Sequence, residues 1–222
     1  MPQSFGPLSS IKWKLLLIFT VTGILVIAVG SETLKYSSYI VKEGVPIDQP
    51  VPFSHKHHAG ELGIDCRYCH ATVEKASFAG MPPTHTCMTC HSQLYTQSKM
   101  LEPVRQSYRN HTPIQWMRVT RLPNYVYFDH SVHVNSGVSC ETCHGQVTEM
   151  PITWRKRSFY MEDCLSCHRN PGPQLRPKDQ VVNMNWLAPP HHAEREALAE
   201  QLLKKYKIKN PRNLVDCYVC HR

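Results

Sequence analysis

Glycine is sparse, 10 residues in 222, and none of it forms a phosphate-cradling loop or a G-x-G-x-x-G turn, which argues against nucleotide binding. Apolar residues make up only 41% and 17 prolines interrupt the chain, so there is little material for a conventional core or for long strands. Nor is any cysteine left over. All ten lie in five copies of C-x-x-C-H, beginning at Cys66, Cys87, Cys140, Cys164 and Cys217.

The spacing lets two thiols of one pentapeptide add to the two vinyl groups of a haem while the next histidine reaches the iron. Cys66 and Cys69, Cys87 and Cys90, Cys140 and Cys143, Cys164 and Cys167, and Cys217 and Cys220 are the expected attachment pairs. His70, His91, His144, His168 and His221 are the expected proximal ligands, giving five covalently bound haem c groups. Zinc sites recruit pairs of pairs, which five motifs cannot supply, and zinc has no need of a histidine after every second cysteine. A disulfide framework would close very small loops and would not fix a histidine neighbour.

With haem as the core, the polypeptide reads as a wrapping. The expected fold is mainly α and irregular, with one N-terminal transmembrane helix, a loop-rich multihaem c-type cytochrome domain and little β. The formal charge of +8 fits this interior, because five haems bring about ten propionates for which Arg and Lys are natural partners. No nucleic-acid role is assigned to it.

Residues 15–30, LLLIFTVTGILVIAVG, carry no charge, and Ile11 and Trp13 extend the run past the snorkelling stems of Lys12 and Lys14. Twenty residues from 11 to 30 span about 30 Å as a helix, enough to cross a bilayer. A cleaved signal peptide ending near Ala28-Val29-Gly30 competes with an uncleaved signal anchor, which is the favoured reading. Lys12 and Lys14 leave a short N-terminus in the bacterial cytoplasm and export the remainder to the periplasmic side.

Phe53-Ser54-His55-Lys56-His57-His58 precedes the first motif as Phe128-Asp129-His130-Ser131-Val132-His133 precedes the third. Both read F-x-H-x-x-H, followed by glycine, C-x-x-C-H, a Met-Pro pair (Met81-Pro82, Met150-Pro151) and a second motif. The expected division is 1–10 cytoplasmic, 11–30 anchor, 31–52 tether, 53–91 first dihaem module, 92–127 connector, 128–168 second dihaem module, and 169–222 bearing the fifth haem. His55, His58, His130 and His133, one helical turn apart within each pair, are the expected distal ligands. Met150 is the choice for the remaining iron, over Met161, Met184, His191 and His192. His57, His85 and His111 read as surface or pocket-lining residues. Helices are expected over 92–108 and 193–207.

F-x-H-x-x-H before C-x-x-C-H resembles the class III multihaem cytochromes. Asp65 to His70, Met81-Pro82-Pro83-Thr84 before Cys87 to His91, Leu122-Pro123-Asn124-Tyr125-Val126-Tyr127-Phe128-Asp129-His130, and Cys164 to Pro171 resemble the pentahaem subunit of bacterial alternative complex III. Thr120 stands where that family leads one to expect a histidine. The resemblance implies an electron-transfer subunit of a quinol:acceptor oxidoreductase. Its implied partners are an iron-sulfur subunit, integral-membrane quinol-binding subunits and a monohaem cytochrome c. A stand-alone membrane-anchored quinol dehydrogenase feeding a periplasmic reductase is the alternative, and a multihaem oxyanion reductase would require an open haem site.

Overall fold

The computed structural model describes residues 7–221, with backbone alone for 7–9, so most of the expected cytoplasmic segment 1–10 lies outside the described residues. The chain divides between Glu43 and Gly44 into two units. In the first, helix α1 spans Pro7–Lys35. Its central apolar side chains are bare, Phe19 at 73% exposure and Ile27 at 72%, a state that water penalises and lipid tolerates. The helix is long and apolar enough to cross a membrane. A second short helix, Ser38–Val41, stops at Lys42, whose left-handed backbone (φ 56°) ends the turn.

The second unit is a succession of short helices and irregular connections. Among the described residues there is no sheet, only the isolated bridges Pro46 to Trp154 and Val138 to Leu175. The expected tether 31–52 is not one extended strap. Helix α1 runs on to Lys35, and from Gly44 the chain is fastened to the second unit, where Gly44 N donates to Arg155 O (2.8 Å) and Ile47 N to Thr153 O (3.3 Å). Pro46, Pro50 and Pro52 favour extended backbone, and extended backbone is what offers its N–H groups to a neighbouring segment.

Four longer helices punctuate this unit: α2 (Thr84–His91), α3 (Glu102–Asn110), α4 (Met161–Arg169) and α5 (His192–Lys205). The helix expected over 92–108 starts only at Glu102, because Pro103 suits a first helical turn and not a helix interior. Helices α2 and α3 pack together through Thr84 Oγ1 and Ser107 Oγ, 2.5 Å apart, and Ser107 Oγ also donates to Thr112 O. Helix α5 rests Leu203 against Gly172, where a Cβ would meet Ala199 and Leu203 at 3.2 and 3.4 Å.

Among the described residues of this unit buried apolar side chains are few: Val51, Val73, Val104, Met150, Leu175, Val181, Met184 and Leu202. They are scattered rather than pooled. So small a core cannot offset the conformational entropy of a unit this long, which fits a fold completed by a large apolar cofactor.

The two F-x-H-x-x-H copies differ by one residue in their distance to the next cysteine, and the backbone absorbs the difference locally. His130–Asn135 is an ordinary α-turn, whereas Lys56–Glu61 is a π-helical turn that accommodates the additional residue. Each copy then reaches a glycine three residues before its cysteine, Gly63 (φ +67°) or Gly137 (φ +85°), a conformation that favours glycine. The π-turn packs against Val147–Glu149, where a Cβ on Gly60 would lie 2.5 Å from Thr148 O. Gly60→Ala is therefore expected to destabilise the holoprotein by about 1–3 kcal/mol through overpacking. Chemical denaturation followed by haem absorbance measures this, and an unchanged midpoint contradicts the tight approach.

Candidate haem iron centres

Each attachment motif is helical, the first, third and fifth as single turns and the second and fourth within α2 and α4, and the helix places the two thiols three residues apart on one face. Asp65 caps the first, accepting from Arg67 N at 2.8 Å, and Ser139 caps the third, accepting from Glu141 N at 3.1 Å. All ten cysteines are unbridged. Among the described residues no three His, Cys, Asp or Glu side chains converge as a metal site would require, which disfavours zinc.

The phenylalanine of F-x-H-x-x-H orients both histidines. Phe53 stacks on His58 (4.4 Å, 22°) and sets its edge to His55 (5.0 Å, 86°); Phe128 repeats this with His133 (4.5 Å, 24°) and His130 (4.8 Å, 89°). The rings so held face the motif histidines. His58 and His91 have centroids 6.2 Å apart, His130 and His144 6.3 Å, and His133 and His168 6.2 Å. Two imidazoles bound through Nε2 to one metal, at about 2.0 Å per bond, place their centroids roughly 6.3 Å apart. For the first motif the structure gives no such ring spacing, but among the histidines that lower His55 after burial, His70 acts most strongly, ahead of His58 and His144.

Hydrogen bonds select the nitrogen that remains free. His58 Nδ1 donates to Ser54 O (2.9 Å) and His133 Nδ1 to Asp129 O (2.7 Å), the carbonyl four residues back in both copies. His70 donates to Gly80 O (2.7 Å), His91 to Leu94 O (3.3 Å), His168 to Leu214 O (2.9 Å) and His221 to Tyr125 O (3.1 Å). Support for the first histidine of each copy is reciprocal: His130 Nδ1 donates to Ser77 O (2.8 Å), beyond the first motif, and His55 Nδ1 lies 2.9 Å from Thr153 Oγ1, beyond the third. A proton fixed on Nδ1 leaves Nε2 as the lone-pair donor an iron requires. The donor set therefore fits haem.

Burial favours the neutral form of four candidate ligand rings. It pushes His55 and His144 down to about 4, with neighbouring histidines adding to the effect, and lowers His58 and His133 as well. Among the thiols, burial pushes Cys143 up to about 11. Cys66 and Cys140 share a hydrogen bond that holds Cys66 down at about 7 and raises Cys140. Beside α2, Arg105 gives Nε to Glu102 and Nη2 to Ser98 O, while its buried Nη1 has no hydrogen-bond partner among the described residues. A guanidinium N–H so placed fits a propionate.

Met150 has 1% exposure, and its carbonyl accepts from Lys56 N (3.0 Å) in the π-turn segment. His221 has the Tyr125 ring as its neighbour at 5.9 Å. Met184 is buried and Met161 exposed. His191 precedes α5, His192 pairs with Glu196, and His57 with Glu61, all exposed. His85 lies 6.3 Å from Tyr108, and His111 ends α3 in a left-handed turn. Nothing along the chain pointed to Ser77 O, Thr153 Oγ1 or Arg105, since hydrogen-bond partners across the fold and individual propionate partners carry no spacing rule.

Two expectations follow from this geometry. Met150→Leu should leave the haem absorbance bands unchanged while Met150→Ala costs about 2–5 kcal/mol of stability, and a changed ligand-field spectrum in the leucine variant would mark Met150 as a ligand. Stability should also fall as pH drops from about 6.5 toward 4, because the unfolded rings take up protons across that window while His55 and His144 stay neutral in the fold. Denaturant midpoints across that range check the sign.

The class III cytochrome c family matches residues 34–113, a stretch that holds the first two attachment motifs. The multihaem cytochrome c subunit of the menaquinone reductase of Nitratidesulfovibrio vulgaris (strain Hildenborough) is 30% identical over 144 residues, 55% of this chain and 69% of that protein. Kinship over more than two thirds of a multihaem cytochrome carries the reading past the spacing of cysteines: the chain belongs to the class III multihaem cytochrome c family.

Proposed function

We propose that the chain is a membrane-anchored pentahaem cytochrome c that conducts electrons between a quinone-reactive partner in the bilayer and an acceptor or donor outside it. The ring spacings of 6.2–6.3 Å at three independent histidine pairs carry this reading, since nothing in ordinary side-chain packing demands that separation three times. Haem c, when bound, supplies one-electron iron chemistry. The chain's own part is to hold and tune: His70 with His55, His91 with His58, His144 with His130 and His168 with His133 would hold four of the haems, and His221 the fifth. Two histidines at one iron would leave no place for a substrate there, which favours conduction over oxyanion reduction. Segments 53–91 and 128–168 act as the two dihaem modules, with 169–222 carrying the fifth site.

Helix α1 supplies the anchor, and Lys12 and Lys14 on its N-terminal flank favour a haem unit on the periplasmic side of a bacterial membrane. The motif resemblance to alternative complex III supports quinol oxidation, with an iron-sulfur subunit, integral-membrane quinol-binding subunits and a monohaem cytochrome c as partners. The relative from N. vulgaris is by its name part of a menaquinone reductase, and this favours a second reading in which electrons run toward the quinone.

Gentle solubilisation of the native membrane tests the proposal. The expected result is a multisubunit assembly in which this polypeptide carries the mass of five covalent haems, is low-spin at its histidine-paired irons, and is reduced by added quinol. Reduction only by an external donor, with quinone as the final acceptor, selects the second reading. A lone polypeptide active without partners selects the stand-alone dehydrogenase.

A further inference from the structure

The five attachment motifs do not lie in space in the order in which the chain presents them. The first and second touch through Tyr68 and Thr89, inner residues of their respective C-x-x-C-H sequences, with Oη and Oγ1 2.9 Å apart. The first also meets the third, because Cys66 and Cys140 are in direct thiol contact. This junction is braced from both sides. His130 N and Ser131 N donate to Ser77 O and Ala76 O (3.1 and 3.2 Å), and Asn135 Nδ2 to Glu74 O (2.9 Å), all beyond the first motif. Lys56 N donates to Met150 O (3.0 Å), beyond the third. The two halves thus lie head to head, each ligand segment resting on the stretch that follows the other half's inner motif.

From that centre the third motif leads to the fourth, because one helical turn serves both: His130 sets its ring 6.3 Å from that of His144, and His133 sets its ring 6.2 Å from that of His168. The fourth leads to the fifth: α4 packs on Pro211–Leu214, His168 Nδ1 donates to Leu214 O, and Cys164 is within reach of Cys220. Exposure agrees independently. Of the ten cysteines only Cys90, in the second motif, and Cys217, in the fifth, are exposed.

We infer that the haem sites form a single row in the order second, first, third, fourth, fifth, with the sites of His91 and His221 as its two ends. The inference rests on each motif carrying a haem. A partner's redox centre then comes within reach at Cys87–His91 or at Cys217–His221, and the sites of His70 and His144 serve only as interior stations.

Cryo-electron microscopy of the holoprotein in its native assembly, with intact-mass analysis of the same preparation, tests the order. The expected result is nearest-neighbour irons pairing second with first, first with third, third with fourth and fourth with fifth, and a polypeptide mass of five haems. Five haems with any other neighbour order, such as the second iron beside the third or the fifth inside the row, overturn the row and leave the proposed function standing. A mass short of five haems overturns the reading beneath it, and the row with it.

Discussion

A neutral imidazole carries one proton, and the whole arrangement depends on where that proton sits. Backbone carbonyls take it at Nδ1 of His58, His70, His130, His133 and His168, so the opposite nitrogen is presented as a donor before any metal arrives. The bonds also fix ring rotation, and Phe53 and Phe128 lock the remaining freedom by stacking. Burial complements this by disfavouring the imidazolium form, in which neither nitrogen could bind iron.

The scattered core follows from the same requirement. Under the proposed function, a chain that brings histidines to both faces of several flat macrocycles cannot also pool its apolar side chains in one place. Helices stay short because each needs to present only one cysteine pair or one histidine pair. The longest of them, α5 at His192–Lys205, lies outside the motifs, as does α3 at Glu102–Asn110, and there ordinary helix packing returns around Leu202 and Val104.

What the sequence disclosed was whatever depends on fixed spacing along the chain. C-x-x-C-H and F-x-H-x-x-H are single-turn patterns, so the attachment turns, the candidate ligands and the repeat were legible, as was the apolar run of α1. The scarcity of strands followed from the prolines and from haem standing in for a core. What stayed hidden depends on distance across the fold: the pairing of His130 with His144 and of His133 with His168, the acceptors Ser77 and Thr153, and the contact of Cys66 with Cys140. Pro103 misled for another reason. In a helix over 92–108 it would fall in the interior, where proline is disfavoured, whereas it suits a first turn, and α3 starts at Glu102.

The exchange of support between the two halves bears on how such a chain could arise. His55 leans on Thr153 and His130 on Ser77, so a single half, made alone, would leave its leading histidine without a brace. Two identical copies could cure one another's deficit only by associating about a two-fold axis, each lending what the other lacks. Residues 92–127 join the two copies within one chain, so that each brace is supplied internally, and the π-turn at Lys56–Glu61 marks where the copies differ in length.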